Sequence, residues 1–337
     1  MSAVKNILIV GNGMIVRDQI LPSLLHLQRI GKVGEIDICT RLYRERIAQL
    51  PEQSIVFVAT PDHLHHEMVM FAIEAGQHVI CVKPLALKRA HAEEIELAAR
   101  ARGVFVGVEY HKRFDDRSLM ARRHYREGRF GEFRLGAACL LEKWSYRTSN
   151  FQNWFTCENT DAFTYIGCHY VDLVAFITGL MPAAVSVHGI RDRFPNGNEG
   201  YLWTDARVLW NNGACLNVQN ALGFPDAAPG TNTQGLTMYC SGGLIAHSDQ
   251  YRGLKYSFDS GEYSEPSPDY FQFVEWSGPG LRPVGYGYRS IEALVAACDG
   301  APDEHRLIAT PANSSYNEGV IEAGRESLRR GGELVRV

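Results

Sequence analysis

The run Asn6-Ile7-Leu8-Ile9-Val10 passes directly into Gly11-Asn12-Gly13-Met14-Ile15-Val16, and this junction decides the fold. A short unbroken apolar run is the mark of a strand buried on both faces of a parallel sheet. Helical periodicity follows over Asp18–Ile30 despite Pro22. A strand that turns through glycines into a helix places bare backbone beside the positive helix end, where an anionic group can approach the amides. The third small residue of that pattern is replaced by Val16, so strand and helix must stand slightly apart there. Taken alone, the junction is also compatible with a plain glycine turn.

Outward from it, short β-rich runs alternate with helical ones. Glu35–Cys39, Ser54–Ala59, His78–Val82 and Val104–Val108 read as strands, and His65–Ala75 and Ala90–Arg102 as helices closed by Gly76 and Gly103. This alternation is the sequence form of an α/β Rossmann-type doubly wound parallel sheet. Past about Arg126 the pattern changes to a strand-like Glu132–Leu141, an amphipathic helix over Asp161–Thr178, and strand runs at 184–189, 204–209, 214–221, 235–240 and 270–276. Helices follow at 290–297 and 316–330, and 224–235 reads as a loop. The expected organisation is a dinucleotide-binding domain over 1–125 and an α+β domain over 126–337 with a large, mostly antiparallel sheet. The closing helix is expected to reach back toward the first domain.

Composition narrows the function classes. Lys+Arg 34 against Asp+Glu 38 gives a net charge of −4, which argues against a nucleic-acid binder, whose footprint is a basic excess. With 45% hydrophobic and 21% charged residues the chain can bury a proper core. No apolar run approaches the roughly 20 residues of a membrane span, and no leader pattern precedes the first strand. The eight cysteines are scattered without short metal spacings, so a reduced, cytoplasmic protein is expected. His63, His65, His66 and Glu67 lack a third ligand at a standard spacing, and no metal is expected.

A dinucleotide site over the first turn would use Gly11, Asn12, Gly13, Met14 and Ile15. About 20 residues on, such sites carry a carboxylate for the ribose diol. Here the second strand ends Cys39-Thr40-Arg41, with Arg44 one turn further. These residues suit a 2′-phosphate, which guanidinium binds in bidentate fashion, or form a solvated loop. NADP is expected ahead of NAD.

Three further segments carry a resemblance: Ala59-Thr60-Pro61-Asp62-His63-Leu64-His65 after strand three, Val82-Lys83-Pro84 after strand four, and Gly107 to Phe114 (GVEYHKRF) at the end of strand five. With the Gly11 turn, the sequence resembles the Gfo/Idh/MocA family of NAD(P)-dependent sugar and cyclitol oxidoreductases. Gly167-Cys168-His169-Tyr170-Val171-Asp172 and Tyr286-Gly287-Tyr288-Arg289-Ser290-Ile291 agree in outline. The resemblance implies cofactor contacts from Ala59, Thr60, Pro61, His65, Lys83, Pro84 and Glu109, and substrate contacts from Lys83, Tyr110, Lys112, Arg113, Trp144, Tyr165 and His169. It departs at Val82, where the family has glutamate, and at Tyr165, where it commonly has an aspartate.

At 100° per residue, Asp161, Tyr165, His169 and Asp172 share one helix face. A histidine satisfied by Asp172 would look the same; the resemblance points instead to catalysis. Lys83, at a strand end, would polarise a substrate oxygen, His169 would take the hydroxyl proton, and Tyr165 would bond the substrate or relay the proton. The expected activity is hydride transfer between NAD(P) and a carbinol or carbonyl of a sugar, cyclitol or derivative. The alternative is a non-catalytic dinucleotide-binding sensor or assembly subunit. Trp144, Tyr146, Trp154 and Phe155 form a sugar-stacking wall or lid, or pack under a loop. Association as a homodimer or homotetramer through the second-domain sheet is expected.

Overall fold

The computed structural model describes residues 4–248 and 254–337. Its first run builds β1 (Ile7–Val10), α1 (Leu21–Arg29), β2 (Ile36–Cys39), α2 (Tyr43–Ala48), β3 (Ile55–Val58), α3 (His65–Glu74), β4 (His78–Val82), α4 (Arg89–Arg102) and β5 (Val106–Glu109). The five strands are parallel, in the order β2-β1-β3-β4-β5. All residues of β1 and β3 are buried, as their unbroken apolar runs require. Because β2 and β3 flank β1, the winding reverses there, and the crevice at the carboxyl ends of β1 and β3 is where such sheets receive ligands. The helix after β1 does not start as a regular one. Val16–Ile20 forms a wide π turn before α1, so the helical run read from the sequence begins in a different hydrogen-bond register.

The second run contains α5 (Asp116–Arg126), β6 (Phe133–Lys143), α6 (Cys168–Thr178), β7 (Pro182–Arg193), β8 (Glu199–Trp210), β9 (Cys215–Phe224), β10 (Asn232–Cys240) and β11 (Gly243–Ser248). Together with Val335–Arg336 they form a sheet ordered β11-β10-β6-β9-β8-β7 and then that terminal strand. Only β6 and β9 run parallel; the other pairs are antiparallel. Alternation along the strands puts Leu216 and Val218, Leu202, Ala206 and Val208 in the core. On the opposite face, Leu135 pairs with Tyr239 and Tyr239 with Leu244, and all three are exposed.

The remaining elements are α7 (Tyr286–Cys298), α8 (Pro311–Ser314) and α9 (Tyr316–Arg329). The compact units are Met1–Asp115 with Asp269–Glu318, and Asp116–Pro268 with Gly319–Val337, whereas the sequence reading placed one boundary at 125/126. The return of the chain has a packing reason. Tyr286, Ile291, Leu294 and Val295 of α7 join Ile7, Ile9, Ile20 and Leu24 in one core. Gly107 makes room, since a Cβ there would stand 2.4 Å from Leu294 Cδ2. Ala309 bonds the outer edge of β5 through its carbonyl to the Val108 amide, covering an otherwise open strand. The alternating run expected at 270–276 contains only the short strand Gln272–Val274, exposed and paired with Arg282–Val284.

Candidate active site

The turn after β1 has the geometry its glycines predict. Gly11 sits at φ +119°, donates its amide to the Cys39 carbonyl at 2.8 Å, and would place a Cβ 2.1 Å from the Ala59 carbonyl oxygen. A side chain is impossible there. Gly13 is the opposite case: among the described residues, its chain neighbours aside, no atom lies within 4 Å of where its Cβ would be. The pair therefore gives a turn locked against β3 and an open stretch of backbone ahead of a helix, and that open stretch fits a dinucleotide diphosphate. Arg17 folds back onto the Asn12 carbonyl at 3.1 Å, bracing the loop, and Met14 and Ile15 open the helix.

After β2, Thr40 and Arg41 are exposed. Arg44 is committed elsewhere: its Nη2 donates to Glu67 Oε1 at 2.6 Å, and the same oxygen accepts from the Tyr43 hydroxyl at 2.8 Å. These two donors hold the Glu67 carboxyl below the usual carboxylate range, Arg44 contributing most.

His65 is fully buried. Its Nδ1 faces the Pro84 carbonyl oxygen at 2.7 Å and its Nε2 the Thr60 carbonyl oxygen at 2.8 Å. The ring clamps the loop after β3, carrying Ala59, Thr60 and Pro61, to the loop after β4, carrying Lys83 and Pro84. The Lys83–Pro84 peptide is cis, and Lys83 is half-buried at the sheet edge. Asp62 lies in a 3₁₀ turn, Asp62–Leu64, just ahead of α3. His66 bonds Glu94 and stacks on His91. Among the described residues no group of three His, Cys, Asp or Glu could hold a metal.

Glu109, also expected at the cofactor, is 1% exposed. Its Oε1 accepts from Gln19 at 2.9 Å and from the Ser290 hydroxyl at 2.6 Å, and its Oε2 lies 3.0 Å from His111 Nδ1. The Tyr270 hydroxyl in turn donates to Gln19 Oε1 at 2.7 Å. Glu109 is thus the hub of a buried network joining the π turn behind the glycine loop to β5 and α7. The sequence reading missed Gln19, which looked like an ordinary helix position, whereas Glu109, His111 and Ser290 all lay in the quoted segments. Tyr110 is buried and accepts a 2.7 Å hydrogen bond from Asn317. Arg113 is buried over the Tyr110 ring and donates to the Tyr316 hydroxyl, and Lys112 is buried 6.0 Å above Tyr286. The substrate role expected for these three competes with internal partners.

In the second unit, the helix read as amphipathic over 161–178 is corrected on two counts. Phe163–Gly167 is a π turn, and every residue from Cys168 to Ile177 is buried. The wide turn inserts an extra residue, so positions before it leave the 100° register that had aligned Asp161 with His169. Asp161 instead accepts from the Thr164 amide at 2.8 Å and its hydroxyl at 2.6 Å, closing the turn's start. Gly167 is required, since a Cβ there would meet Phe163 at 2.5 Å and Asn220 Oδ1 at 2.6 Å. His169 is buried in the first turn of α6. Tyr165 is half-buried, edge-on to Phe151, Trp154 and Phe155.

Trp144 is 45% exposed. The Arg147 guanidinium lies 3.5 Å beneath its ring and donates to Asp192 at 2.6 Å and to the Leu222 carbonyl at 2.7 Å. Arg147 is the chief reason the Asp192 carboxyl sits below its ordinary range. Trp203 completes the stack at 6.2 Å from Trp144, lying against Gly223. Arg147, Asp192 and Trp203 carried no sequence signal, because β6, β7 and β8 bring them together. Lys143 binds the carbonyls of Pro225, Asp226 and Ala228 in the loop after β9.

Residues 5–110 match the family model described as the oxidoreductase family with an NAD-binding Rossmann fold, GFO_IDH_MocA. Those residues are thus similar to the NAD-binding domain of the Gfo/Idh/MocA family. Levoglucosan dehydrogenase of Pseudarthrobacter phenanthrenivorans is 27% identical over 140 residues, 41% of this chain and 36% of that one. The scyllo-inositol 2-dehydrogenase (NADP(+)) IolW of Bacillus subtilis is 29% identical over 151 residues, 44% of this chain and 41% of that one. The matches thus span about two-fifths of these relatives. The myo-inositol 2-dehydrogenase of Lactobacillus plantarum superposes with a TM-score of 0.75 at 17% identity, over 99% of each chain, and shares the two-unit fold. Among its described residues the chain has no helix long and apolar enough to cross a membrane.

Proposed function

We propose that this chain is an NAD(P)-dependent oxidoreductase acting on a CH–OH group of a sugar, cyclitol or sugar derivative. The carrying observation is the locked Gly11 beside the open Gly13 at the switch point of the sheet, with Lys83 at the same carboxyl edge. Gly11, Asn12, Gly13, Met14 and Ile15 would hold the diphosphate, Thr40 and Arg41 the adenosine ribose, and Ala59, Thr60 and Pro61 the far wall. When bound, the nicotinamide supplies an acceptor for hydride. Lys83 donates to the substrate oxygen, His169 takes the hydroxyl proton, and Tyr165 bonds the substrate. Trp144, rigid over Arg147, offers an aromatic face to a sugar ring. The absence of a carboxylate after β2 and the exposed Arg41 support NADP ahead of NAD. The NADP(+) in the name of the related IolW agrees.

The exposed row Leu135, Tyr239 and Leu244 supports association through the outer face of the second unit's sheet, as a homodimer or homotetramer. A reduced, cytoplasmic setting fits the scattered cysteines. The aromatic seat of Tyr165 favours a second reading, a dinucleotide-binding sensor without turnover. Purified protein incubated with NADP or NAD across a panel of sugars and cyclitols separates them: reduction of the dinucleotide supports the enzyme, and bound cofactor without reduction on any member supports the sensor.

A further inference from the structure

Three arginines follow β2 within six residues, and the structure treats them differently. Arg41 is exposed and bonds no side chain among the described residues. Arg46 pairs with Asp37 of β2 itself. Arg44 reaches across to α3, where Glu67 stands in the first turn. Its guanidinium also lies 5.0 Å from the Phe71 ring and 5.7 Å from Tyr43, and its Nε donates to the Tyr43 hydroxyl at 3.2 Å. Tyr43 and Phe71 meet edge-on at 6.0 Å. The bridge therefore joins the first turn of α2 to the first turn of α3, beside the loops of the two strands that flank β1 and its glycine turn.

We propose that Glu67 is a specificity-determining residue, weakening the preference for a 2′-phosphorylated dinucleotide by occupying Arg44. This inference rests on the cofactor reading above. A 2′-phosphate brings between one and two negative charges and seeks guanidinium partners. By holding Arg44, the Glu67 carboxylate removes one of the two candidate arginines for that phosphate. The pair is solvent-exposed and does not lock the fold. Arg44 is free to change partner once the carboxylate charge is gone.

The test is the apoprotein's affinity for NADPH and NADH, read by nucleotide fluorescence, for the unmodified chain, Glu67→Gln, Arg44→Gln and the double variant. Glu67→Gln is expected to raise the NADPH-to-NADH affinity ratio about tenfold. Arg44→Gln alone is expected to change the ratio less than about twofold, and the double variant to lose the gain. An unchanged ratio in Glu67→Gln overturns the proposal, as does a gain that survives in the double variant. If no form binds either dinucleotide, the cofactor reading itself falls and takes this inference with it.

Discussion

The Nδ1 of His65 lies 2.7 Å from the carbonyl oxygen of Pro84, the residue after Lys83. With Nε2 at 2.8 Å from the Thr60 carbonyl, one buried ring spans the loops after β3 and β4. A carbonyl only accepts, so a neutral ring can satisfy one of these oxygens and a doubly protonated ring both. Replacing His65 by Leu leaves both carbonyls without the ring's N–H groups. The variant is expected to lose about 1–3 kcal/mol of stability in chemical unfolding and to bind dinucleotide more weakly by nucleotide fluorescence. Unchanged stability would remove the clamp.

Gly13 and Gly11 separate folding from binding. Gly13→Val faces open space and is expected to fold normally, with its melting temperature intact, while its dinucleotide dissociation constant rises at least about tenfold. Gly11→Ala meets the Ala59 carbonyl at an unfavourable φ and is expected to lower the melting temperature as well. Tight dinucleotide binding by Gly13→Val would show that the loop is a structural turn only.

Lys83→Met and His169→Ala should each lower turnover by at least about 10²-fold, the usual scale of acid–base catalysis, in the substrate panel that reveals the activity. Lys83→Met is expected to retain dinucleotide binding within severalfold. Full turnover by either variant excludes that residue from the chemistry.

Burial lowers His78 to about 4, with nearby Lys5 adding to the shift. Its Nδ1 accepts from the Phe105 amide at 3.0 Å, which requires the ring to be neutral there. The unfolded chain therefore binds more protons than the folded one between the ordinary histidine value of 6.5 and about 4. Stability should fall as pH drops through that window. His78→Asn, which keeps an acceptor and removes the titration, should flatten the slope in denaturant melts; an unaltered slope would assign it to other groups.

Gly167→Ala should destabilise the second unit by about 1–3 kcal/mol, because its Cβ has no room between Phe163 and Asn220. Circular dichroism melts measure this directly.

The parallel sheet was legible because β1 and β3 are unbroken apolar runs, a local signal that burial on both faces imposes, and because the helices α3 and α4 close on glycines. The motifs at the ends of β1, β3 and β4 were legible for the same reason, being short and contiguous. Two features escaped. The π turns at Val16–Ile20 and Phe163–Gly167 depend on what packs against them, Gln19 on Glu109 and Gly167 on Asn220, and a 3.6-residue count cannot register an inserted residue. The buried character of α6 was likewise hidden, since a helix covered on every side has no polar face to count.

By itself the sequence determined the order of strands and helices, the glycine turn after β1 and the cationic end of β2, all consequences of periodicity and backbone freedom over a few residues. Only the tertiary structure decided which of those polar groups remain available. It gave Arg44 to Glu67, His65 to two carbonyls and Glu109 to Gln19, Ser290 and His111. Those partners lie between 2 and 181 residues away along the chain, and a buried polar group must take whichever partner folding brings within reach.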